Sequence, residues 1–120
     1  MSDTSSDVPD RVERAIGSVL VALADPTRRR LLDALAEAGQ ASATTLAGRL
    51  PVSRQAVVKH LQVLLDAGLV SGGRAGREVL YRVRPAPLDA SARWLDALSA
   101  SWHRRLAAPN QAPEPGPQGR

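Results

Sequence analysis

Seven residues between Ser53 and Gln62 carry the side chains from which chemistry is expected in this chain: Ser53, Arg54, Gln55, Val58, Lys59, His60 and Gln62. At about 100° per residue, Gln55, Val58, Lys59, Gln62 and Asp66 share one narrow helix face, with Arg54 at its edge. Val57, Leu61 and Leu64 fall on the opposite side. An apolar back that anchors to a core, behind a front of donors and acceptors, is the division that major-groove reading of duplex DNA needs. On such a face Gln55 pairs bidentately with adenine, and Arg54 with guanine or a phosphate.

The remaining residues of the face each carry a plainer reading beside the chemical one. Ser53 is first an N-cap, worth ~1 kcal/mol to its helix; contact with a phosphate is an addition that a helix N-terminus favours. Lys59 is either a solvated charge or a phosphate contact, and its place on the face favours the second. Val58 either packs against a neighbouring helix or meets a thymine methyl, and the sequence leaves both open. His60 falls at the boundary of core and surface. A packed or phosphate-bonding role suits it better than metal ligation, because no Cys or second His lies near it in the sequence.

These residues need elements to hold them. Ser42 to Leu69 reads as two helices joined by a turn at Pro51–Val52, a helix-turn-helix. Ser42 caps a helix over about Ala43 to Arg49 that buries Leu46 and Leu50, with Thr44 and Thr45 at its start within reach of phosphate. Ser53 caps the next, and Gly68 closes it. Upstream, Val12, Ile16, Val19, Leu20 and Leu23 recur at helical spacing, predicting a first helix from Pro9 to about Ala24. Asp25-Pro26 then starts a second, to about Ala38, with Leu31, Leu32 and Leu35 inward and Gly39 at its end. Arg28, Arg29 and Arg30 form a charge run, of the kind usually solvated; one of them facing the DNA backbone is the alternative, and none is assigned a role.

Downstream, Val70 to Arg84 predicts a basic β-hairpin: Val79, Tyr81 and Val83 alternate with Glu78, Leu80, Arg82 and Arg84. Arg74 and Arg77 flank a tip at Ala75-Gly76 and are expected to reach a minor groove or its phosphates. A fifth helix follows over about Leu88 to Ala107, with Leu88, Leu95, Leu98, Trp102 and Leu106 near a 3.6 period. The fold class is therefore mostly α with a small β-hairpin wing. It is a winged helix-turn-helix of five helices in the order α-α-α-α-β-β-α.

Composition narrows the rest. Residues 1–8 and the Pro-rich 108–120 read as disordered tails around one domain at 9–107. Only three of 120 residues are aromatic, so the core must be built from Leu, Val and Ala. Between Pro26 and Arg84, nine Arg and Lys59 stand against Asp33, Glu37, Asp66 and Glu78. That surplus of six positive charges exceeds the +4 of the whole chain. A basic middle between near-neutral flanks points to a polyanionic partner. No apolar run approaches the ~20 residues of a membrane span, and no signal peptide opens the chain, so a cytoplasmic location is expected. Without Cys there are no disulfides and no thiolate metal sites. With two His and no clustered carboxylates, the chain does not read as an enzyme.

The order of elements resembles the ArsR family of small bacterial winged-helix repressors. LADPTRRRLLDAL (Leu23 to Leu35) is similar to the family's second-helix signature, and LPVSRQAVVKHLQVLLDAGLV (Leu50 to Val70) to its recognition helix and exit. GREVLYRV (Gly76 to Val83) resembles its wing. The likeness covers about Val8 to Leu106 and implies a DNA-binding repressor. Metal-sensing members carry Cys-x-Cys where this chain reads ASATTL (Ala41 to Leu46). Others pair Asp and His with His-x-x-Glu on the last helix. Here that region offers Asp89, His103 and Arg105-Leu106. The resemblance thus implies a regulator of the branch without the Cys metal-sensing motif, with no metal and no cofactor.

The first and last helices carry more apolar surface than a small core can cover. Val12, Ile16, Val19, Leu95, Leu98, Trp102 and Leu106 are therefore expected to meet a second copy of the chain. Trp94 and Trp102 read as packing residues. The expected partners are double-stranded DNA and the chain itself as a homodimer that occludes a promoter at a palindromic operator. Two alternatives stand beside this: a winged-helix protein-interaction module without DNA binding, and a metal-responsive repressor with a non-Cys site using Asp89, Asp96 or His103.

Overall fold

The structure, a computed structural model, describes residues 4–108. Two compact units divide the chain, one ending at Ala90 and the other beginning at Ser91. Among the described residues the elements follow the predicted order. They are α1 (Thr4–Ala24), α2 (Pro26–Ala38), α3 (Ala43–Ala47), α4 (Arg54–Asp66), β1 (Val70–Ala75), β2 (Glu78–Val83) and α5 (Ala86–Ala107).

Local chemistry accounts for each junction in the first unit. The Asp25 carboxylate accepts the N–H groups of Thr27 (2.7 Å) and Arg28 (3.2 Å), and Pro26 occupies the first helical position. The same turn closes the end of α1. Arg28 donates from Nε to the carbonyl of Ala22 (2.8 Å) and from Nη2 to that of Val21 (3.1 Å). Arg29 donates from Nη1 to the carbonyl of Leu23 (2.6 Å). These carbonyls belong to the last turn of α1, where no intrahelical N–H is left to donate to them, so two guanidiniums cap it. The Arg28–Arg30 run is thus not simply solvated. Two of its three members serve the backbone.

α2, α3 and α4 wrap one aliphatic core. Leu31 and Leu35 of α2, Leu46 of α3, and Val57, Leu61 and Leu64 of α4 are fully buried, joined by Val19, Ala22, Leu69 and Val70. Burying each Leu stabilises the fold by about 1.5–3 kcal/mol over leaving it in water. Gly68 has φ 77°, the left-handed conformation that ends α4 and turns the chain into β1.

The hairpin is antiparallel in the register Val70↔Val83, Gly72↔Tyr81, Arg74↔Val79 and Ala75↔Glu78. Its two-residue turn is Gly76-Arg77, with Gly76 at φ 66° as the primed hairpin turns require. The tip therefore sits one residue later than expected. Arg77 lies in the turn itself, while Arg74 shares a face with Val79. A third short strand contact was not readable in the sequence: Ala41 donates to the Tyr81 carbonyl (3.1 Å) and accepts from the Tyr81 N–H (2.9 Å). This pair pins the approach to α3 against the wing.

Several boundaries differ from expectation. α1 begins at Thr4 and not near Pro9. The expected N-terminal tail thus overlaps this helix; Met1–Asp3 and the Pro-rich segment from 109 onward lie outside the described residues. α3 stops at Ala47, where the N–H of Arg49 turns to the carbonyl of Leu46 (3.0 Å) and tightens the exit before Pro51. α5 starts at Ala86, since Pro87 fits a first helical turn and Asp89 already donates to the Pro85 carbonyl (2.9 Å).

In the second unit, α5 continues with Leu95 and Trp102 exposed, Leu106 almost fully so, and Trp94 and Leu98 half-buried. His103 Nδ1 lies 2.8 Å from the Ser99 carbonyl, one turn back on the same helix. No helix among the described residues is long and apolar enough to cross a membrane.

Candidate nucleic-acid interface

α4 is fixed in orientation by its ends and its back. Ser53 Oγ accepts the N–H of Ala56 (3.1 Å), the expected N-cap, and Val57, Leu61 and Leu64 lock the inner side into the core. Everything that this leaves outward is exposed: Ser53, Arg54, Gln55, Val58, Lys59 and Gln62. Gln55 and Lys59 have no intramolecular hydrogen bond or ion pair among the described residues. Val58 is 40 % exposed within this polar surface and lines a cleft with Ala43 and Thr44 of α3.

Two members of the face are held in place. Arg54 donates from Nε to Thr44 Oγ1 (3.1 Å), linking the start of α4 to the start of α3. Gln62 donates to the Asp66 carboxylate (2.9 Å), one turn further along α4. Thr45 is engaged at the other cap: its N–H donates to Ser42 Oγ (3.1 Å), and the Ser42 hydroxyl donates to Thr45 Oγ1 (3.1 Å).

The wing closes the site from the side. A cleft of about 320 Å³ runs between Thr44, Arg54 and Val58 on the helices and Arg77, Val79 and Tyr81 on the hairpin. Arg54 and Arg77 thus border one concavity, and Arg77 has no partner among the described residues. Arg74 is exposed on β1, equally unpaired, on the strand opposite Val79.

His60 is the residue that the structure does not bring into this surface. It is half-buried, with Nδ1 3.5 Å from Arg28 Nη1. It faces the α1–α2 junction because the helical period carries it from the outward face toward the core. Arg28 also lies 3.8 Å from Asp25 Oδ2. Burial alone would raise the Asp25 carboxyl. The backbone N–H groups of Arg28 and Thr27, then the charges of Arg28 and His60, outweigh it and hold the group below its ordinary value. Sequence reasoning missed this network, although Asp25-Pro26 signalled the tight turn that brings Arg28 back onto α1. Among the described residues, no three His, Cys, Asp or Glu side chains gather where they could hold a metal ion.

A capped helix-turn-helix with a pinned wing is the architecture of a known group of regulators. A family model described as a helix-turn-helix domain matches residues 23–72. The transcriptional repressor SdpR of Bacillus subtilis is 31 % identical over 80 residues, covering 67 % of this chain and 88 % of the repressor. The HTH-type transcriptional regulator Rv2034 of Mycobacterium tuberculosis is 44 % identical over 85 residues, covering 71 % of this chain and 76 % of that protein. A solved structure, an ArsR-like transcriptional regulator from Rhodococcus sp. RHA1, superposes with a TM-score of 0.75 at 47 % identity, over 82 % of this chain and 92 % of that one. The chain belongs to the ArsR family of transcriptional regulators. Its relatives and its fold are those of regulators, not of enzymes. In this ArsR-family chain, the match over residues 23–72 spans α2 to α4 and the start of β1, the part that carries the exposed face described above.

Proposed function

We propose that this ArsR-family protein is a homodimeric repressor that occludes a promoter by placing α4 of each copy in a major groove of a palindromic operator. The observation that carries the reading is α4 itself. It is capped by Ser53, anchored through Val57, Leu61 and Leu64, and leaves Gln55 and Lys59 outward with no partner of their own. On DNA, Gln55 reads a base edge, Val58 meets a thymine methyl, and Arg54 and Lys59 take phosphate or guanine. Ser53, Thr44 and Thr45 line the backbone path. Arg77 at the turn, with Arg74 behind it, reaches the adjacent groove or its phosphates. His60 acts from behind, by bracing α4 against Arg28.

Exposed apolar side chains support the dimer: Val12 on α1, and Leu95, Trp102 and Leu106 on α5. Ile16 and Val19 are already buried within one chain, Val19 in its aliphatic core, so they drop from that surface. The repressor role is supported by likeness to SdpR, a named repressor. The test is binding of the purified protein to the DNA upstream of its own gene across a salt series. A specific complex whose affinity falls steeply with salt is expected. Absence of binding there and to genomic fragments would leave only an interaction module.

A further inference from the structure

A second cleft, of about 350 Å³, opens in the first unit away from the DNA-reading face. Its floor is apolar: Leu23 from the end of α1, Leu32 from α2, Leu69 before β1, Val83 at the end of β2 and Leu88 at the start of α5. Its volume lies at the small end of the range, about 300–1,000 Å³, in which ligand pockets fall. The charged groups at its rim are Arg29, Arg84 and Asp33. Arg29 spends Nη1 on the Leu23 carbonyl, which leaves further guanidinium donors free. The Arg84 backbone is anchored, its N–H donating to the Leu69 carbonyl at 2.7 Å, while its guanidinium has no partner among the described residues. Asp33 forms no ion pair there either. Two guanidiniums against one carboxylate leave the rim with a single positive charge above an apolar floor.

We infer that this cleft binds a monocarboxylic acid with an apolar body, its carboxylate on Arg84 and Arg29 and its body against Leu32, Leu69 and Val83. One negative charge matches the rim's surplus, and a planar carboxylate matches the guanidinium fork. Leu69 and Val83 are the roots of the hairpin, so an occupied cleft braces the wing where it leaves the core. That regulatory consequence rests on the DNA-binding reading; the binding itself does not, and is measured without DNA.

Isothermal titration of the full chain with octanoate is the direct experiment, beside octanamide, a neutral probe of the same shape. Saturable binding at one per chain is expected, about tenfold or more weaker for octanamide and for Arg84→Gln. Ala36 also lines the cleft and is exposed on α2, so Ala36→Phe should fill it at little cost to folding and abolish binding. No saturable heat with octanoate, or equal affinity in Arg84→Gln and Ala36→Phe, would overturn the inference. So would a shift of the monomer–dimer balance by Ala36→Phe with no octanoate binding, which would make a second copy the occupant.

Discussion

Replacing Arg77 by Ala isolates the wing's part in DNA binding, because nothing in the free protein depends on that side chain. Arg77 is exposed in the Gly76-Arg77 turn and has no hydrogen bond or ion pair among the described residues. The variant should therefore unfold at the same temperature as the parent. On DNA, one charge-assisted bond is worth about 1.5 kcal/mol at the exposed end of its range, or roughly tenfold in affinity per copy. Each phosphate neutralised contributes about 0.9 to the slope of log affinity against log salt. A symmetric dimer carries the change twice, so the slope should fall by about 1.8. Between about 50 and 200 mM salt, the ratio of parent to variant affinity should then shrink about twelvefold. Fluorescence anisotropy with a labelled promoter fragment measures both quantities. Parallel salt lines with equal affinities would refute the placement of the hairpin tip on DNA.

Four other substitutions probe separate parts of the account. Gln55→Ala should relax preference at one position of each half-site by ~1–3 kcal/mol, read by binding to single-base operator variants. Leu61→Ala should lower stability by about 2–5 kcal/mol in urea unfolding, since Leu61 is fully buried at the back of α4. Asp25→Asn keeps a capping side chain but removes the charge. The folded carboxyl titrates below its unfolded value of 3.8, so its contribution is complete above that pH and is lost as pH falls through the lowered value. The variant should be less stable than the parent at pH 7, with the gap closing as pH falls below 3.8. Trp102→Ala removes a side chain 54 % exposed on α5 and should weaken dimerisation in sedimentation velocity.

What could be read from the sequence was whatever local chemistry decides. Asp25-Pro26, Ser42 and Ser53 cap helices through bonds made within three residues, and Gly68 closes α4 through a conformation of its own, so their places were legible. The outward face of α4 followed from helical period alone. What depends on distant residues was not legible. Ala41 meets Tyr81 forty residues away, and Arg28 reaches both α1 and His60. A charge run offers no sign that two of its members will cap the preceding helix. Val19 shows the same limit: a helical stripe marks it as apolar, but not whether its own core or a second copy covers it. The cleft between Arg54 and Arg77 arises only once the Ala41–Tyr81 pair has set the wing beside α3 and α4.

The central claim is that two copies of α4 read DNA as a symmetric pair. Footprinting the protein on fragments selected from its source genome tests it most directly. The account predicts a protected, two-fold symmetric site whose half-sites are about one helical turn, ~34 Å, apart, and protection lost at high salt. A single asymmetric half-site, or selected fragments with no common sequence, would contradict it.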